Sequence, residues 1–244
     1  MSKLFITFCY LLLFTAFNSI QAENLYLEQI KQVTVKASDK KQLERIKKFQ
    51  SKERYTIKNL PSFHKQNEKK QDAETLCQMC HGKLSHGKNS STRAFLNQHS
   101  QRIDCLTCHY QPENTSLKYT WLEITKGDET SKIITPKNQN NLLLISVNHP
   151  FAQQIKKSWD EGDLYQKERL HQKIHQPLSE TKLACIDCHQ KNGLLDLQAL
   201  KFSPEEITKI ETNRISQFLS KIKPEDKNST DKNKQRILLR GLLQ

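Results

Sequence analysis

Three copies of one five-residue pattern, Cys-x-x-Cys-His, decide what this 244-residue chain can be built around. They are Cys77-Gln78-Met79-Cys80-His81, Cys105-Leu106-Thr107-Cys108-His109 and Cys185-Ile186-Asp187-Cys188-His189. Of the seven cysteines, only Cys9 stands outside them. Four-thiolate zinc binding would use Cys77/Cys80 with Cys105/Cys108, but it leaves the third pair without a partner and the spacing is longer than usual. Disulfides suit an oxidising compartment. Neither reading explains a histidine after every pair. With nine histidines in 244 residues, three such coincidences have a chance on the order of 10⁻⁴ or less, and the pattern is the attachment signature of haem c. A thioredoxin-like redox pair would give one motif near a βαβ pattern, not three. The spacing has a chemical reason: two thiols two residues apart reach the two vinyl groups of one haem, and the histidine that follows falls beneath the iron. Cys77, Cys80, Cys105, Cys108, Cys185 and Cys188 are therefore the expected attachment points, and His81, His109 and His189 the expected proximal iron ligands.

With two motifs close together, Cys77 to His109 resembles the doubled arrangement of multihaem c-type cytochromes; no subfamily is assigned. The resemblance covers the three motifs and their surroundings, about half of the chain after residue 22. It implies three covalently bound haems and electron transfer. Composition agrees with a core not made of side chains alone. Hydrophobic residues make up 35% of the chain, below the roughly 45–50% of ordinary globular domains.

The second axial ligand decides what each haem can do. Methionine is excluded by supply: Met1 lies at the N-terminus, and Met79 sits inside the first binding loop. Histidine, another donor or an empty site remains, and histidine on both faces implies potentials below those of His/Met cytochromes. Six histidines lie outside the motifs. His86, His99 and His175 share the haem-binding segments and lead as distal candidates. His149 and His171 come next, and His64, in a charged stretch, comes last. His99 ends an expected helix from Arg93 and is expected across one of the two closely spaced haems. His171 and His175 are four apart on one helix face and compete for one role.

The N-terminus reads as a secretory signal peptide over residues 1–22. Lys3 is followed by the uncharged apolar run Leu4 to Phe17 and a small residue at Ala22. The run is about 14 residues, shorter than the ~20 of a spanning helix. Cleavage after Ala22 places the chain in the periplasm or outside the cell; a retained N-terminal membrane anchor is the alternative. Cys9 leaves with the leader. No later stretch is long and apolar enough to span a bilayer.

Residues 23–72 read as a charged helical arm, with a thin stripe at Leu43, Ile46, Phe49 and Tyr55. Residues 73–195 form the trihaem domain. Leu117, Tyr119 and Trp121 alternate as on a strand, and Leu142 to Val147 is a second β-like run, which gives a small β-hairpin near 117–147. Tyr119 and Trp121 read as packing residues rather than electron relays. A helix is expected around Ile155 to His175. Residues 196–223 form an amphipathic helix that starts at Ser203-Pro204-Glu205-Glu206 and ends before Pro224. Its apolar face is Ile207, Ile210, Ile215, Phe218, Leu219 and Ile222. Residues 224–244 are a flexible charged linker and a short apolar tail. The fold class is thus mainly α with much irregular structure, organised around three haems.

Charge points to the partners. The chain carries +13; loss of Lys3 with the leader leaves +12, and six haem propionates would bring it to about +6. Other redox proteins with an acidic docking surface fit that balance, and peripheral contact with an anionic membrane stays open. Nucleic acid is excluded by compartment. A relay of electrons between redox partners is the leading reading. The alternatives are a multihaem reductase or oxidase with one open haem, acting on a small nitrogen or sulfur compound, and a subunit of a larger cytochrome assembly. No Cys-x-x-Cys-Lys motif, phosphate loop or hydrolase triad argues for catalysis.

Overall fold

The computed structural model describes residues 24–49, 73–86, 92–126, 129–181 and 183–221. The leader, His64, Tyr55, Ile222 and the C-terminal tail lie outside these residues. About 47% of the described chain is helical, with one small antiparallel sheet. No helix among the described residues is long and apolar enough to cross a membrane.

Helix α1 (Leu25–Gln32) begins at Asn24, whose side chain accepts from the Leu27 amide and donates to the Leu142 and Leu143 carbonyls, at 2.9 Å each. Its face of Tyr26, Leu27 and Ile30 enters the main hydrophobic cluster. The Tyr26 hydroxyl donates to the Ile174 carbonyl at 2.7 Å, and its ring meets Tyr110 edge-on with centroids 5.2 Å apart. This corrects the expected arm: α1 is a core element. The expected stripe at Leu43 and Ile46 does form helix α2 (Lys40–Lys48), started by a capping box of Asp39 and Gln42, with Ile46 buried. The Ser38 hydroxyl, just before α2, donates to the buried carboxylate of Glu168.

The hairpin is present, but its second strand is not the one expected. Strand β1 (Lys118–Lys126) pairs antiparallel with β2 (Glu129–Asn138), in register from Lys118↔Lys137 to Lys126↔Glu129. Among the described residues only β3 (Asn141–Leu142) extends the sheet beyond it. The run after Leu142 serves the core instead. Leu143 is fully buried and Ile145 nearly so, and the Ile145 and Glu74 carbonyls exchange hydrogen bonds with the Leu76 and Val147 amides. Ile133, Ile134 and Thr135 are the β-branched residues that make β2 a strand.

The single helix expected over 155–175 is two helices. Helix α6 (Pro150–Glu161) starts with His149 as cap and Pro150 at its first position, and α7 (Leu164–His175) starts with an Asp163–Gln166 capping box. Gly162 makes the break. A Cβ there would lie 2.5 Å from the Ser158 carbonyl oxygen, whose hydrogen bond from the Gly162 amide closes α6. The C-terminal amphipathic stretch likewise divides. Helix α9 (Pro204–Glu211) has the expected Ser203–Glu206 capping box, and a second helix, α10 (Arg214–Lys221), restarts after Asn213, whose side chain accepts from the Ser216 amide.

Candidate functional site

Each Cys-x-x-Cys-His motif sits on a helix of one to two turns: α3 (Leu76–His81), α5 (Cys105–His109) and α8 (Cys185–Cys188), with His189 closing the last. Residues three apart lie on one helix face, so each motif presents its two thiols together with the histidine one residue on. None of the six cysteines forms a disulfide. Burial pushes the thiols of Cys80, Cys108 and Cys188 up, the latter two to about 11 and about 12. Reactive redox cysteines need the opposite, a stabilised thiolate.

The three motif histidines do not stand alone. His81 faces His175 with ring centroids 5.9 Å apart, His109 faces His86 at 6.4 Å, and His189 faces His99 at 5.9 Å. An imidazole nitrogen lies about 2 Å from a metal it ligates, and its ring centre about 1 Å further on. Two histidines on opposite sides of one iron therefore have centroids about 6 Å apart. All three separations fit that spacing, so the residues present suit three haem irons with two axial histidines each. Among the described residues no group of three or more His, Cys, Asp or Glu is placed to hold a metal ion. The motif histidines come in pairs with non-motif ones.

The far nitrogens are oriented as well. His99 Nδ1 lies 2.7 Å from the Phe95 carbonyl oxygen, His175 Nδ1 2.8 Å from that of His171, and His189 Nδ1 2.9 Å from that of Ile210. A carbonyl only accepts, so Nδ1 carries the hydrogen in each, which orients the ring as second-sphere partners orient ligating imidazoles. Burial holds His81 and His175 below the ordinary histidine range, each in the neutral form that a ligand requires.

The three leading distal candidates are the three that face motif histidines, with one change of address. His99 faces the third motif, not one of the two closely spaced ones. The chain after α4 (Arg93–His99) explains it: Ile103 bridges to Ile134 of β2, and Ile134 packs on Leu195, Leu197 and Leu200, which follow the third motif. His171 stacks on His175, centroids 4.1 Å apart, and faces no motif histidine in a ring contact; burial drives its pKa down to about 4. His149 spends Nδ1 on the Phe151 amide as the cap of α6.

Two positioning residues, Asn97 and Ser100, had no sequence signal. The Asn97 side chain accepts from the His86 amide at 3.0 Å and donates to the His86 carbonyl, which ties the loop after the first motif to α4. The Ser100 hydroxyl donates to the Lys83 carbonyl in the same loop. Phe49 lies edge-on to His81 at 5.7 Å and to Trp159 at 5.9 Å. Trp121 donates to the Leu200 carbonyl and packs near Phe202, as expected of a packing residue.

The second motif adjoins both others. Cys77 lies within electrostatic reach of Cys105, and Cys108 within that of Cys185. No protein-family model, curated protein or solved structure matches this chain.

Proposed function

We propose that this protein is an exported trihaem c-type cytochrome that passes electrons between redox partners through haems ligated by histidine on both faces. The observation that carries the proposal is the pairing of every motif histidine with a non-motif histidine at the separation that one iron requires. Cys77/Cys80, Cys105/Cys108 and Cys185/Cys188 would hold the haems as thioethers. His81/His175, His109/His86 and His189/His99 would supply the axial ligands. Bound haem supplies a one-electron couple; the chain supplies fixed imidazoles, exclusion of water and closeness of one site to the next.

Closed iron sites favour a carrier over a reductase, since substrate chemistry at iron needs an open position. The closeness of the second motif to the first and third supports a relay in which it is the middle station. Beside the first pair, α2 exposes Lys40, Lys41, Arg45, Lys47 and Lys48, and Phe49 at its end touches His81. An acidic redox protein steered to that face would deliver or remove electrons at the first haem.

The test is the intact mass of the exported protein after denaturation, with a haem assay on the same sample. Three haems per chain that survive denaturation are expected. Haem that washes out, or a count below three, would overturn the assignment.

A further inference from the structure

Between the first and second motifs lies a carboxylate that the relay does not use. Asp104 is 3% exposed. Its Oδ2 accepts from the Thr135 hydroxyl at 3.1 Å, and Thr135 is itself fully buried. Its amide donates to the Ile134 carbonyl, which fixes the residue against β2. Among the described residues no lysine, arginine or histidine forms an ion pair with it; the ion pairs found there join Lys83 to Glu74, Lys132 to Glu123, Lys156 to Asp160 and Lys209 to Glu205. It directly precedes Cys105 and acts electrostatically on Cys77, Cys108 and Tyr26.

On the trihaem reading, we propose that Asp104 binds a proton when the haem of the second motif is reduced, so that the protein takes up a proton with an electron. The balance is one electron from the redox partner to ferric iron, giving ferrous iron, and one proton from solvent to the Asp104 carboxylate, giving the acid. Reduction adds a unit of negative charge to a poorly solvated site that already holds a carboxylate without a counter-ion. Like charges in low dielectric disfavour one another, and the carboxylate relieves this by protonation. Coupling is reciprocal: if reduction tightens proton binding, protonation raises the potential equally.

The groups that face Asp104 leave it as the one whose charge changes near neutral pH. Tyr26 from α1 is kept protonated by burial. Cys77 from α3 and Cys105 and Cys108 on α5 become thioethers, which do not ionise. Thr135 from β2 is not titratable. Burial raises the Asp104 carboxyl to about 6, against the opposing pull of Thr135 and the Leu106 and Cys105 amides.

The test is a spectroelectrochemical titration of the full holoprotein between pH 5 and 8. In the wild type one haem potential should fall as pH rises through the Asp104 titration and level off on either side. Asp104→Asn, which keeps an oxygen for Thr135, should make that potential independent of pH. Thr135→Val removes the hydrogen bond that favours the carboxylate and should move the pH-dependent window upward; it decides the matter should Asp104→Asn not fold. Potentials that ignore pH in the wild type, a slope that persists in Asp104→Asn and so belongs to haem propionates, or an unmoved window in Thr135→Val would each overturn the proposal. A chain without three covalent haems would overturn the trihaem reading instead, which the haem count made on the same sample distinguishes.

Discussion

Replacing His99 by alanine should open one iron of the three, that of the third motif. His99 faces His189 at 5.9 Å, its Nδ1 is held by the Phe95 carbonyl, and no other histidine of the described chain makes a ring contact with His189. One third of the haem absorbance should therefore turn high-spin, and added imidazole should restore it. The stability cost follows from loop closure. His99 and His189 are 90 positions apart, His86 and His109 only 23. In an unfolded chain the nearer ligand finds its iron more readily, so the longer closure favours the folded state more. With a dependence of 3/2 RT on the logarithm of loop length, His99→Ala should destabilise by about 1 kcal/mol more than His86→Ala. Ferric optical and electron paramagnetic resonance spectra with denaturant titrations of both variants measure the two effects. In a background of Cys185→Ala/Cys188→Ala, which lacks the third haem, His99→Ala should add no further spectral change. A fully low-spin His99→Ala protein, or a change that persists in that background, would refute the pairing.

Other perturbations give separate readouts. His171→Ala and His149→Ala should leave all three haems low-spin, since neither ring faces a motif histidine; a high-spin signal in either would reassign a ligand. Tyr26→Ala removes a buried ring, its contact with Tyr110 and its hydrogen bond to Ile174, and should cost about 3–5 kcal/mol in chemical unfolding; a loss below 1 kcal/mol would mean α1 is not part of the core. The folded-state pKa of Asp104, raised from 3.8 to about 6, makes its contribution to stability full below pH 4 and lost as pH rises through 6. The lost amount is about 3 kcal/mol at most. Unfolding free energy compared between wild type and Asp104→Asn at pH 4 and pH 8 should show the difference close at the acid end and widen in favour of the variant at the alkaline end.

What the sequence made legible was chemistry with a fixed local spacing. The three motifs, the short helix before His99, the Ser203 capping box and the first strand follow from patterns within a few residues of one another. The distal candidates His86, His99 and His175 could be ranked because they share chain segments with the motifs. Which motif each one meets could not be read, because it depends on contacts distant in sequence. His99 reaches His189 through the Ile103–Ile134 bridge and the packing of Ile134 on Leu195 to Leu200. Helix α1 was hidden for a similar reason: Tyr26, Leu27 and Ile30 are a short stripe in a polar segment, and only Tyr110, Ile174 and the Leu142–Leu143 carbonyls make it core. The helix breaks at Gly162 and Asn213 follow from one glycine and one capping side chain, signals weaker than the apolar periodicity that runs across them. Asp104 carries no signal in the sequence; its burial comes from β2, whose pairing strand the apolar run at 142–147 obscured.

The central claim is that every iron site in this chain is closed by two histidines. The most direct measurement is the ferric spin state of the wild-type protein, followed by addition of carbon monoxide to its reduced form. Three low-spin haems that leave carbon monoxide unbound are expected from the three pairs. A high-spin component, or a haem that binds carbon monoxide, would show an open iron and contradict the pairing on which the relay reading rests.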